Sequence, residues 1–229
     1  RRGRLICHYC RDEQHRPDQC PVCEHGQFHD LGVGTERVES AIKTLFPSAV
    51  VARMDADTMT ERGSYERVLS SFRRKQIDIL IGTQMIAKGL DFHDVTLVGV
   101  ISADSGLFMP DYRAAERSFQ LLYQVAGRAG RGDKPGVVVF QTLCPDNYAL
   151  QAAAKCDYEG FVQKELAFRR AVGYPPYCRL IRVLVEGKRE AEVRNAAREF
   201  CNLLTGIDGL QALGPAPAVI GFIKERHRM

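Results

Sequence analysis

Apolar positions along the chain recur with two different periods, and the two alternate through its middle. Val38, Ile42, Leu45 and Phe46 share one face of a helix that opens at Thr35, a capping residue type, and stops at Pro47. Tyr65, Val68, Leu69 and Phe72 stand at i, i+3, i+4 and i+7, which predicts a second amphipathic helix. Between and after them come short apolar runs. Residues 49–54 suit a strand, and 77–81 and 95–101 are continuous, β-branched-rich runs of the kind found in buried parallel strands. A further helix is expected around 114–129, followed by a strand at 137–141. This alternation predicts an α/β domain with a largely parallel sheet over residues 31–150.

The flanks differ in texture. Residues 1–30 are rich in Cys, His and Gln with few large aliphatics, and cannot build a core unaided. Residues 151–229 read as a small α+β domain. Its charged amphipathic helix Tyr158–Val172 ends at Gly173-Tyr174-Pro175-Pro176; then come a strand at 180–185, a helix over Glu190–Leu204, and a strand beginning near 219 after Gly214-Pro215-Ala216-Pro217. From sequence that β-α-β unit reads as incomplete. The chain also begins at Arg1-Arg2-Gly3 and stops without a closing element, so it reads as a piece of something larger.

Composition narrows the class only a little. Hydrophobic residues make up 45% and charged residues 26% of the 229 positions, ordinary values for a globular protein. No run approaches the roughly 20 apolar residues of a membrane span, and no leader is visible, so a soluble cytoplasmic protein is expected. The 32 Lys+Arg against 28 Asp+Glu leave +4, which permits nucleic acid as a partner without arguing for it.

The eight cysteines are of two kinds. Cys144, Cys156, Cys178 and Cys201 are scattered among apolar neighbours and read as small buried hydrophobes. Cys7, Cys10, Cys20 and Cys23 form two Cys-x-x-Cys pairs whose thiolates suit tetrahedral zinc. Nine residues separate the pairs, fewer than the roughly 15–20 of an ordinary four-cysteine module. His8, His15, His25 and His29 lie nearby and read as solvated.

Two further segments carry chemistry. In Gly82-Thr83-Gln84-Met85-Ile86-Ala87-Lys88-Gly89-Leu90-Asp91-Phe92 a strand ends in Gly-Thr, offering N–H groups and a hydroxyl at the carboxyl edge of the sheet, where open α/β sheets bind ligands. In Gln124-Val125-Ala126-Gly127-Arg128-Ala129-Gly130-Arg131-Gly132 helical spacing puts Gln124, Arg128 and Arg131 on one face. The three glycines cost about 1 kcal/mol each in a helix, a cost that fits close backbone approach or an abrupt helix end. Two guanidinium groups there are suited to a polyphosphate. The plain alternative is a solvated basic face capped by glycine.

In order and separation these two segments resemble motifs V and VI of superfamily 2 helicases. Between them runs Ala103-Asp104-Ser105-Gly106-Leu107-Phe108-Met109-Pro110-Asp111-Tyr112-Arg113-Ala114-Ala115-Glu116-Arg117. With Gly34-Thr35-Glu36-Arg37 and the cysteine pairs, it is similar to the primosomal protein N′ (PriA) family of replication-restart helicases, over nearly the whole chain. The resemblance implies a RecA-like second helicase lobe within a 3′-to-5′ DNA helicase that restarts stalled forks through primosome assembly. Arg131 would be the arginine finger, Arg128 a neighbouring phosphate contact and Gln124 a further catalytic residue. Gly89 and Asp91 would lie by the nucleotide, and Thr83 and Gln84 would meet DNA. ATP and Mg2+ would be cofactors of the complete protein, with two zinc ions. Cys7–Cys10 and Cys20–Cys23 would ligate different zincs, each completed by partners preceding residue 1. Implied partners are forked DNA, single-stranded-DNA-binding protein and primosome components, and no membrane.

One departure matters. The chain has no Gly-x-x-x-x-Gly-Lys-[Ser/Thr] phosphate loop, which the family keeps in its first lobe. The chain alone is therefore expected not to hydrolyse ATP. Two other readings remain at this point: a non-enzymatic zinc-ribbon and α/β module that binds DNA or protein, and an inactive helicase scaffold with a regulatory role.

Overall fold

The alternation of periods gives elements close to those expected, and the differences lie in what each element finds to pack against. The computed structural model describes residues 4–6, 13–15, 17, 19, 34–55, 58–59, 63–83, 86, 94–127 and 135–229. It divides into two compact units, Asp30–Cys178 and, in the other, Arg1–His29 with Arg179–Met229. At the start of the chain β1 (Arg4–Ile6) and β2 (Glu13–His15) pair antiparallel, Arg4 opposite His15.

In the 30–178 unit, α1 (Thr35–Leu45) leads to β3 (Val51–Met54), α2 (Ser64–Arg73) and β4 (Ile79–Gly82). Gly34, not Thr35, is the N-cap of α1. Thr35 is the first residue inside the helix, and its hydroxyl donates to Asp55 Oδ2 at 2.5 Å, a charge-assisted bond. β3 and β4 are parallel, with Met54 opposite Gly82. Beneath them Met54 and Leu69 are buried with Met59, Tyr65, Val68, Leu80 and Ile86 around them.

β5 (Leu97–Val100) and β6 (Val137–Phe140) form a second parallel pair, Val100 opposite Phe140. Among the described residues the two pairs are separate rather than one continuous sheet. The apolar run of β5 suggested burial on both faces, but Leu97, Val137 and Val139 are exposed while Val100 and Phe140 pack inward. One face only is covered.

The cover is helical. α3 (Ala114–Ala126) packs most extensively on α4 (Tyr148–Ala154), and α4 on α5 (Tyr158–Val172). Their shared core holds Ala103, Phe119, Leu122, Ala149, Leu150, Ala152, Ala153 and Phe161. Phe119 and Phe161 stack with ring centroids 4.0 Å apart. The expected boundary at residue 150 falls inside α4, and this core is why the compact unit runs on to Cys178. Asn147 and Asp157 cap α4 and α5 through their side chains, and Gly173, at φ 68°, ends α5.

In the other unit the expected strand at 180–185 does not form. Leu180, Ile181, Val183 and Leu184 stay exposed without a ladder partner, and β propensity alone does not hold a strand. Pairing begins at Val185, which exchanges both backbone hydrogen bonds with Met229, at 2.9 and 3.0 Å. β7 (Glu186–Gly187), β8 (Phe222–Ile223) and β9 (Arg226–Arg228) make an antiparallel sheet in the order β7-β9-β8. α6 (Glu190–Leu204) buries Val193 and Ala197. A Cβ on Gly187 would stand 2.9 Å from Val193 Cγ2, so the glycine admits the helix.

None of the four scattered cysteines is buried, contrary to expectation. Cys156 is exposed because it occupies a left-handed turn, φ 53°, immediately after α4. No helix among the described residues is long and apolar enough to cross a membrane.

Candidate functional site

Parallel pairing brings the carboxyl ends of β3 and β4 to one edge. The register Met54↔Gly82 sets Asp55 and Thr83 side by side in sequence just beyond it. Gly82 is required there: a Cβ would fall 2.4 Å from the Met54 carbonyl oxygen. The Gly-Thr signature is thus in part a packing solution. Thr83 is exposed, its carbonyl accepts from the Ile86 N–H at 3.1 Å, and among the described residues its hydroxyl has no partner. It is free to meet a ligand at this edge.

Asp55 is the buried neighbour, 6% exposed. The Thr35 hydroxyl above all, and the Thr58 backbone N–H and hydroxyl and the Arg53 charge after it, hold its carboxyl at about 2, against the effect of burial. Arg53 Nε lies 3.3 Å from Glu39 and 3.4 Å from Asp55, an ion pair to each although neither contact has hydrogen-bond geometry. So Gly34-Thr35, singled out from sequence, ties α1 to the edge that carries Thr83.

The second candidate element is the end of α3. Gln124 is exposed on its last turn, and Gly127 forms the C-cap with its N–H on the Tyr123 and Val125 carbonyls. The helix therefore ends where the glycines begin. Of the expected set Gln124, Arg128 and Arg131, Gln124 alone is among the described residues. Arg128, Arg131, Gln84, Gly89 and Asp91 lie outside them, as do Cys7, Cys10, Cys20 and Cys23. Among the described residues no three His, Cys, Asp or Glu side chains gather as a metal site.

At the other end of α3 the structure reveals a cluster that sequence reading missed. Arg169, 8% exposed, donates from Nε to Glu165 Oε1 and from Nη2 to Glu116 Oε2, both at 2.8 Å, and from Nη1 to the Pro175 carbonyl at 3.3 Å. Tyr148 donates to Glu165 Oε2, and Arg113 to Glu116 Oε1 at 3.0 Å. Two carboxylates and two guanidiniums make the cluster neutral, so each buried charge is paired. Arg113 first, then Arg169, hold the Glu116 carboxyl below its usual range despite partial burial. Burial and the Glu165 bond push the Tyr148 phenol up. A signal did exist in the sequence: Glu165 and Arg169 follow Phe161 at i+4 and i+8, on its face.

The segment 103–117 is therefore structural at its start and part of this cluster at its end. Buried Asp104 accepts the Leu143 N–H at 3.1 Å, fixing the loop after β6.

Comparison with known proteins agrees with this arrangement of parts. The helicase conserved C-terminal domain model matches residues 28–133, and the primosomal protein N C-terminal domain model matches 170–229. The replication restart protein PriA of Bacillus subtilis is 48% identical over 227 residues, covering 98% of this chain and 28% of the relative. That of Treponema pallidum is 43% identical over 229 residues, 99% of this chain and 35% of the relative. That of Borreliella burgdorferi is 35% identical over 228 residues, 99% and 34%. The chain thus spans about a third or less of the curated relatives it matches. With both domain models in order, and that identity along nearly all its length, the chain belongs to the PriA family of replication restart proteins.

Proposed function

We propose that this chain is the second, RecA-like motor lobe and the C-terminal domain of an ATP-driven 3′-to-5′ DNA helicase that restarts stalled replication forks. The observation that carries this reading is the helicase match over 28–133, which contains both the Gly82–Phe92 and the Gln124–Gly132 segments. Bound ATP supplies the phosphoryl group whose hydrolysis drives the motor. Arg131 stabilises the charge that spreads over that group, Arg128 contacts phosphate beside it, and Gln124 orients them. Guanidinium suits the task because its planar fork gives two directed donors and stays charged. Gly89 admits the nucleotide and Asp91 accepts a ribose hydroxyl. Thr83 and Gln84 meet DNA phosphates, and the exposed, unpartnered Thr83 hydroxyl supports that role.

Cys7, Cys10, Cys20 and Cys23 hold zinc. Their thiolates are the donor set zinc prefers, and two Cys-x-x-Cys pairs supply them. Each pair serves a different ion, completed by cysteines elsewhere in the protein. Forked DNA, a single-stranded-DNA-binding protein and primosome components are the partners of the whole. Thiolates kept for a metal fit a reducing, cytoplasmic setting.

ATP turnover by purified residues 1–229 tests the split of the motor site. None above background is expected, with or without DNA, since the sequence holds no phosphate loop. DNA-stimulated turnover by this piece alone would reject the split.

A further inference from the structure

Thr35 and Glu39 are four residues apart on α1 and share one face of that helix. Arg53 in β3 and Asp55 just beyond it meet that face. The Thr35 hydroxyl bonds Asp55 Oδ2 at 2.5 Å, and Arg53 Nε stands 3.3 Å from Glu39 and 3.4 Å from Asp55. The second carboxylate oxygen of Asp55 accepts from the Thr58 backbone N–H at 2.9 Å and from its hydroxyl at 3.0 Å. The Asp55 N–H in turn donates to the Thr58 hydroxyl oxygen at 3.0 Å. One buried carboxylate thus latches α1, the end of β3 and Thr58 together.

Contact passes from this latch to Thr83 within a single step of backbone. Met54, the residue before Asp55, lies opposite Gly82, and its carbonyl oxygen would be 2.4 Å from a Cβ there, so the two backbones touch. Ile86 closes on the same point, with side-chain carbons at 3.2 and 3.3 Å, and its N–H bonds the Thr83 carbonyl at 3.1 Å. Close packing transmits displacement, so a shift of the Met54 carbonyl is felt at Gly82 and Thr83. The exposed Thr83 hydroxyl makes no bond among the described residues, and this backbone frame sets its position. We infer that Asp55 is a positioning residue for DNA binding: held by Thr35 and Thr58, it fixes the Met54 carbonyl against Gly82 and so keeps Thr83 where a DNA phosphate meets it. The inference rests on the reading of Thr83 as a DNA contact. The β3–β4 ladder and the apolar surroundings of Met54 remain when the latch is lost, so the sheet keeps its fold while its edge loosens.

The test uses the complete protein with a single-stranded oligonucleotide as probe. Maximal ATP turnover and the DNA concentration that half-saturates it are measured for Thr35→Val, Thr35→Ser, Thr83→Ala and the Thr35→Val, Thr83→Ala double variant. Valine keeps the shape of threonine without the hydroxyl, whereas serine keeps the hydroxyl. Thr35→Val should raise the half-saturating concentration about fivefold and leave maximal turnover within about twofold, the scale of coupling through neighbouring contacts. Thr35→Ser should stay within about twofold in both. Added to Thr83→Ala, Thr35→Val should change nothing further, because its effect passes through Thr83. Asp55→Asn, which keeps the shape and weakens both holds, decides by the same comparison if Thr35→Val fails to fold. Unchanged half-saturation in Thr35→Val, an equal loss in Thr35→Ser, or effects that multiply in the double variant would overturn the inference. Unchanged half-saturation in Thr83→Ala would instead reject the DNA role of Thr83, and the inference with it.

Discussion

α3 and α6 are amphipathic helices of similar length, 13 and 15 residues, and from sequence they look interchangeable. α3 buries Ala114, Ser118, Phe119 and Leu122 because α4 and α5 lie along it. α6 buries Val193 and Ala197 alone, because the elements packed on it are the short strands β7 and β9, and Leu203 near its end is 75% exposed. Around α6, Ile181, Leu213 and Val219 are exposed as well. An apolar stripe states that a helix will bury a face; the partner's length decides how much of that face is buried. Stability and position are therefore concentrated in the unit that carries the motor segments.

Substitutions can break or sharpen that contrast. The largest effect should come from Phe119→Ala, about 3–5 kcal/mol, since Phe119 is 2% exposed and stacked on Phe161. Hydrogen exchange resolved along the chain reads it, and protection should fall over residues 97–172 together. Loss confined to α3 would mean that the helices are not one block.

Acid should act next, and on the same unit. The Asp55 carboxyl is lowered to about 2, so its contribution is complete above the ordinary carboxylate range near 4 and is lost as pH falls through about 2. Asp55→Asn should remove that part of the acid transition, followed by exchange at β3 and α1. An unaltered acid transition would show that the Thr35–Asp55 bond adds no stability.

In the C-terminal unit the effects should be smaller. Val193→Ala should cost about 1–2 kcal/mol, and Ile181→Ser, at an 86% exposed site, less than about 0.5 kcal/mol. If Ile181→Ser cost as much as Val193→Ala, the exposed apolar residues of this unit would be buried in solution, and the contrast with α3 would fail.

The order of helices and strands in the motor unit was legible because each has a period and a partner of the expected kind. α1, α2, α5 and α6 lie within a residue or two of where the pattern puts them. α4 was not legible: seven residues, mostly small, carry no period, and only Asn147 announces it. The strand at 180–185 was read from propensity, which is silent about whether a ladder partner exists. Arg169 and Glu165 do not stand out in the charged helix Tyr158–Val172, since charge in a helix is usually exposed; burial becomes possible only when Glu116, 53 residues away, completes the pairing. Of the candidate site, Thr83 and Gln124 are placed at a strand end and a helix end, both exposed as a ligand contact requires. The remainder of that site falls outside the described residues.

The most direct measurement is ATP turnover by the complete protein carrying Arg131→Ala, beside its affinity for forked DNA. An arginine that stabilises charge on the transferred phosphoryl group should, when removed, lower turnover on the order of 10³-fold or more, and leave DNA affinity nearly unchanged. A variant that hydrolyses ATP at the unsubstituted rate would contradict the assignment of this lobe to the motor site.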